Sequence, residues 1–457
     1  MIESPSHPTA RRRPLDTLGP ALVVGLVLFA IGLLGVLHPL SLTAVVLAGA
    51  AALVLALMNM PILVLWLVPL SMAAFIYLPV MHYEILVLLL AGGLLLQAAR
   101  QPVRLRLALQ PIEWRYGLFL LALLPSVVNA TNLWRFGGMV KIYVMGLIGF
   151  EVSRRAAARF GREALIWGPL LFVALTSAML TLRIGQSGVP SFRSLELRTY
   201  LTQLPWGSSN YVAAVIVLCM PAMVYVIRVA SGWRRGAAVG VLTWSLATML
   251  LTVSRGGFVL SVAYLGPLLL RSRRSLWIAI GVAAAAVAVL ALTPPGRAIA
   301  ERFTNASSTE SILWRMLIWK LAWARGLRHL PLGIGAGQGL GDRGDLLGPA
   351  DPHNFLLTLF SEDGVLGVLT WLSVFAALWH TQRRLCSSPE SMHVGGAMRA
   401  TLVLVFINML FEPTMTGNLY HMLFWWLMGI YYGMGYPAEI GSAPRPVAPP
   451  PAPCPTT

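Results

Sequence analysis

The chain has 457 residues, 57% of them hydrophobic and 11% charged, against about 25% charged in an ordinary soluble domain. That balance excludes a soluble globular enzyme and describes an all-α polytopic membrane protein. The net charge of +17 points to anionic lipid headgroups as partners rather than to nucleic acid, because its arginines cluster at the ends of apolar runs.

Residues 1–19 carry Arg11, Arg12 and Arg13 but no small-residue cleavage site follows, so they are expected to form a cytoplasmic tail. Apolar runs then recur at 20–38, 40–58, 61–79, 84–99, 114–130, 138–152, 164–182, 208–229, 237–253, 257–270, 275–292, 364–380, 399–412 and 419–436. With ~20 residues needed to cross a bilayer, they predict about 12 to 14 transmembrane helices. If the first arginines lie inside, alternation puts Arg100/Arg104/Arg106/Arg115, Arg154/Arg155/Arg159/Arg162, Arg228/Arg234/Arg235, Arg271/Arg273/Arg274 and Arg383/Arg384/Arg399 inside as well. This is the positive-inside pattern. Two outer segments are long, at 183–207 and 293–352, and the Pro-rich residues 437–457 read as a disordered inner tail. Cys219, Cys386 and Cys454 are too scattered for a disulfide framework or a metal knuckle.

The sidedness is testable. In intact cells, Ser308→Cys is expected to react with an impermeant maleimide and Arg159→Cys to be protected; the reverse pattern overturns the topology.

The outer segment 293–352 breaks the charge bias with Arg297, Arg302, Arg315, Lys320, Arg325, Arg328 and Arg343, so something other than topology holds those cations there. Its stretch "SILWRMLIWKLAWARGLRHL" interleaves Arg315, Lys320 and Arg325 with aliphatic and tryptophan residues. It predicts an amphipathic helix on the outer bilayer surface. "PLGIGAGQGLGDRGD" follows. Its "GLGDRG" fits a dinucleotide fingerprint in letters only, without the strand and soluble context that motif needs. Alternating glycines read better as a compact loop that lets backbone approach a ligand or another loop.

Three outer stretches carry candidate chemistry. In "ADPHNFLLTLFSEDGVLG", Asp351 and Pro352 read as an N-cap and first helical residue, which puts His353 and Asn354 in the first helical turn. A helix amino terminus disfavours imidazolium and leaves the neutral ring a general base requires; the alternative is that both residues only satisfy backbone groups. Glu362 and Asp363 fall at the membrane interface, with Gly364 and Gly367 allowing a bend. In "TVSRGGFVL", Ser254 can cap a helix whose open amides at Gly256 and Gly257 sit beside Arg255, an arrangement suited to phosphate or to snorkelling. In "SFRSLELRTYLTQLPWGSSNY", Arg198 is an anion ligand or a partner of Glu196, and Ser208, Ser209 and Asn210 read as a capped entry to the next span. No cluster has metal-ligand spacing, so metal-free chemistry without a cofactor is expected. Charge is concentrated in outer loops rather than along a central cavity, which weighs against a lipid-linked sugar flippase or other transporter.

"SRGG", "LWRMLIWKLA", "LPLGIGAGQG" and "HNFLLTLFSEDGVLG", in this order and on one side, resemble the O-antigen ligase and polymerase superfamily, chiefly between Arg198 and Gly367. The resemblance implies a bacterial inner-membrane glycosyltransferase with a periplasmic active site. Its donor is a sugar chain on undecaprenyl pyrophosphate; its acceptor is lipid A-core oligosaccharide in ligases and another repeat unit in polymerases. A protein O-oligosaccharyltransferase is a further member type. By resemblance, His353 is the base, Arg198, Arg255 and Arg315 are diphosphate ligands, and Asn354 and Glu362 are supporting groups.

Overall fold

A computed structural model describes residues 111–160, 162–186, 209–252, 254–270, 307–340, 351–389 and 391–436, with isolated positions 68, 87, 88, 92 and 277. All its secondary structure among these residues is helical. The helices are α1 (Pro111–Leu123), α2 (Leu133–Phe160), α3 (Arg162–Gln186), α4 (Ser209–Val229), α5 (Gly232–Leu251), α6 (Arg255–Leu269), α7 (Ser307–Arg328), α8 (Phe355–Ser387), α9 (Met392–Phe411) and α10 (Asn418–Gly435). Short 3-10 turns at Leu124–Asn129 and Thr414–Thr416 follow α1 and α9.

Among the described residues, five helical segments are long and apolar enough to cross a membrane: Pro111–Asn129, Leu133–Ala158, Asn210–Val229, Phe355–Ser387 and Met392–Phe411. Trp167–Leu182 and Arg255–Leu269 are shorter apolar helices. The chain is thus an all-α polytopic membrane protein. Each expected run from 114–130 to 257–270, and each from 364–380 onward, coincides with a helix. The runs at 20–38, 40–58, 61–79, 84–99 and 275–292, apart from the isolated positions, lie outside the described residues, as do both tails.

Association of helices in lipid relies on close packing rather than on release of water. Here α2 and α10 meet at small residues. A methyl group built on Gly429 would lie 2.0 Å from Ser153 Oγ, and one on Gly433 would lie 2.1 Å from Arg154 O. Gly146 likewise makes room for His421 and Trp425. That approach lets Tyr116, Phe119, Tyr143, Trp371 and Trp425 interlock edge to face in a buried aromatic core. His421 is fully buried within it, Nε2 2.9 Å from the Tyr116 hydroxyl and Nδ1 3.0 Å from Met415 O. It is a satisfied core histidine.

One end of the bundle is basic. Arg154 pairs there with Glu113 at 3.4 Å and Glu151 at 2.7 Å, while Arg399 on α9 lies 3.0 Å from Cys386 Sγ on α8. The opposite end gathers the 129–132 turn, the starts of α4, α6 and α8, the end of α9, and the loop after α7.

Candidate functional site

The loop after α7 forms the floor of this end. Gly333, Gly335, Gly337 and Gly339 all adopt positive φ, between 68° and 103°, a conformation that side chains with a Cβ resist. The resulting coil aims the amides of Gly337 and Gly339 at one carboxylate, Glu362, at 2.7 and 2.9 Å. Ile334 and Gly335 donate to Ser361 O and Glu362 O. On its other side Gln338 takes N–H and O–H bonds from Asn132 and Thr131, and Asn129 donates to Gly333 O at 2.7 Å. The anion-accepting amides of this loop are therefore filled by the chain's own glutamate, and the loop approaches other loops.

Glu362 is 6% exposed. It belongs to the packed interior rather than to an open interface. The break that makes room is Gly364, at φ 67° and ψ −164°, which interrupts α8. A Cβ there would meet Pro331 O at 1.9 Å, while the next amide, Val365 N, donates to that same oxygen at 3.2 Å. The glycine produces a sharp break, where the sequence suggested a bend.

The start of α8 also differs from expectation. Asn354 is the N-cap, its Oδ1 accepting from Leu357 N at 3.0 Å, and its Nδ2 donates to Leu410 O at 3.1 Å. His353 therefore precedes the helix and does not lie in its first turn. It sits at φ 51°, its amide donating to Asp351 Oδ1 at 2.9 Å. Aspartate caps the turn that carries the histidine, because its short side chain reaches an amide two residues on. Burial pushes the Asp351 carboxyl above the usual range. Trp319 of α7 holds the same turn by donating to Pro352 O at 2.7 Å.

α7 is the predicted outer-segment helix. Its Ile318 and Ala322 are buried against Leu340 and Leu357, Gly326 admits Phe360, and Trp323 stacks on Phe360 at 4.8 Å. Leu313, Trp314, Leu317 and Leu327 remain exposed. The packing brings Arg315 to the end of α9, where it donates to Phe411 O at 3.2 Å and pairs with Glu412 Oε1 at 3.1 Å.

Glu412 joins the parts. Its Oε1 accepts from Arg315 and, at 2.9 Å, from Asn210 Nδ2 at the start of α4; its Oε2 lies 3.4 Å from His353 Nδ1. The side chain is 15% exposed against 40% for His353, so the carboxylate is sheltered and the imidazole is reachable. Sequence reading missed this residue. The available signal was that Glu412 is the single acidic residue within 392–436, at the end of an apolar run, where an isolated carboxylate needs a partner.

Arg255 opens α6, with Ser254 Oγ accepting from Gly257 N at 3.3 Å. That cap is as expected. Gly257 abuts Ala213 so closely that an added Cβ would lie 2.6 Å from the Ala213 methyl. Ala213 is one turn beyond Asn210, so the start of α6 packs on the same end of α4 that Glu412 holds through Asn210. Arg198 lies outside the described residues, as does Ser208.

Comparison with known families bears on this end of the bundle. Residues 238–372 match the O-antigen ligase family. The match takes in Arg255, Arg315, His353, Asn354 and Glu362 and stops short of Arg198 and Glu412. It supports assignment to the O-antigen ligase superfamily and an enzymatic role of that superfamily's kind. No curated protein matches the chain.

Proposed function

We propose that the protein is an inner-membrane glycosyltransferase that moves an O-antigen polysaccharide from undecaprenyl pyrophosphate to lipid A-core oligosaccharide on the periplasmic side. The observation that supports it best is the meeting of Arg315 and His353, from separate segments of the matched region, at opposite oxygens of Glu412. A cation for a diphosphate and a base for a hydroxyl are what this transfer needs.

A lipid diphosphate leaves readily, so the reaction requires charge stabilisation and proton removal. His353 Nε2 takes the proton of the acceptor hydroxyl as that oxygen attacks the anomeric carbon; the bond from that carbon to the diphosphate oxygen breaks, and the electron pair departs with the diphosphate. One displacement inverts the anomeric centre. Arg255, Arg315 and Arg198 hold the departing charge through forked, charge-assisted hydrogen bonds that need no metal. Asn354 supports the base by capping α8 and tying it to α9, and Glu362 supports the site by holding the glycine loop.

The test is the lipopolysaccharide of a strain lacking the protein. Core without attached chains, with polymer retained on the lipid carrier, is the expected result. Core bearing a single repeat means that the protein is a polymerase; unchanged lipopolysaccharide overturns both readings.

A further inference from the structure

Glu412 lies beyond the matched region and has no part in the transfer as written above. Its two oxygens are used differently. Oε1 receives two donors that are always protonated at their contact, the Arg315 guanidinium and the Asn210 amide, whereas Oε2 faces the ring nitrogen Nδ1 of His353. An ionised carboxylate can only accept hydrogen bonds. The imidazole nitrogen facing it must therefore carry the hydrogen, and the other nitrogen, Nε2, keeps its lone pair.

We propose that Glu412 is the positioning residue of the site, holding His353 as the Nδ1–H tautomer so that Nε2 is the basic atom presented to the acceptor hydroxyl. This rests on the reading of His353 as the base. The surroundings support the assignment. His353 is held from its own loop by Asp351, which engages the backbone amide, so the ring is left to Glu412. Arg315 and Asn210 hold the carboxylate from α7 and α4, and Glu412 N donates to Asn408 O at 2.8 Å, anchoring its backbone to α9. When Nε2 accepts the proton in the reaction, the ring becomes cationic beside an anion, which stabilises the state in which the proton has moved.

The isosteric change Glu412→Gln isolates this contact. Its carbonyl oxygen still accepts from Arg315 and Asn210, which orients the new NH2 toward Nδ1. Facing a donor, Nδ1 must become the acceptor and Nε2 must carry the hydrogen, so the base is lost while the diphosphate ligands stay. The expected result is a fall in kcat of roughly 10²–10⁴-fold, the range of general-base catalysis, with donor KM changed by less than about threefold. Glu412→Asp, which keeps the charge, is expected to recover part of kcat. The second readout is independent of activity: ¹⁵N shifts of histidine side chains in the detergent-solubilised full chain, with His353 assigned by its loss in His353→Gln. The wild type is expected to show a protonated Nδ1 and Glu412→Gln a protonated Nε2. A wild-type kcat in Glu412→Gln, or a His353 tautomer the same in both proteins, overturns the proposal. If the wild type transfers nothing from a polyprenyl diphosphate donor, the glycosyltransferase reading fails, while the nitrogen shifts still decide what Glu412 does.

Discussion

Alanine at His353 is expected to lower turnover by roughly 10²–10⁴-fold with donor binding nearly intact. The side chain is 40% exposed, and among the described residues its hydrogen bond runs to Glu412, so its removal opens no cavity in the helical core. The loss falls on proton transfer, which occurs in the transition state and not in the donor complex. His353→Gln keeps a polar side chain without basicity and is expected to be nearly as poor. A glutamine variant with most of the wild-type rate removes His353 from the role of base, though the superfamily assignment stands.

Arg255→Ala is expected to act on both parameters. A diphosphate ligand touches the donor in the ground state and, more strongly, as charge builds on the leaving group, so donor KM rises and kcat falls together. Hydrogen bonds to charged groups contribute about 1.5–3 kcal/mol each, which corresponds to a fall in kcat/KM of roughly 10- to 150-fold. Arg255→Lys restores charge without the planar fork and is expected to recover only part of it. The Ser254 cap and the packing of Gly257 on Ala213 involve no arginine side-chain atom, so α6 keeps its place in both variants. Steady-state kinetics with varied donor decide the matter. An alanine variant with wild-type kcat/KM takes Arg255 out of the donor site and leaves it the snorkelling role.

The helical class and most described spans were legible in the sequence because each depends on a local property, the length and polarity of an apolar run. The same is true of the Ser254 cap and of the helix that carries Arg315: a hydroxyl three residues before an amide, or apolar residues at helical spacing, is visible without knowing the fold. The resemblance pointed to His353, Arg255 and Arg315, but local rules misread the histidine's setting. Asp-Pro resembles a helix start, yet Asn354 becomes the cap because its amide group can also reach Leu410 O on α9, a partner 56 residues away. Glu362 appeared as an interfacial charge and is instead buried under two glycine amides from a loop more than twenty residues earlier. Glu412 could not be read at all as part of the site. Its three partners come from 59, 97 and 202 residues away in the chain, and only the packing of α4, α7, α8 and α9 at one end of the bundle decides that a single carboxylate faces them all.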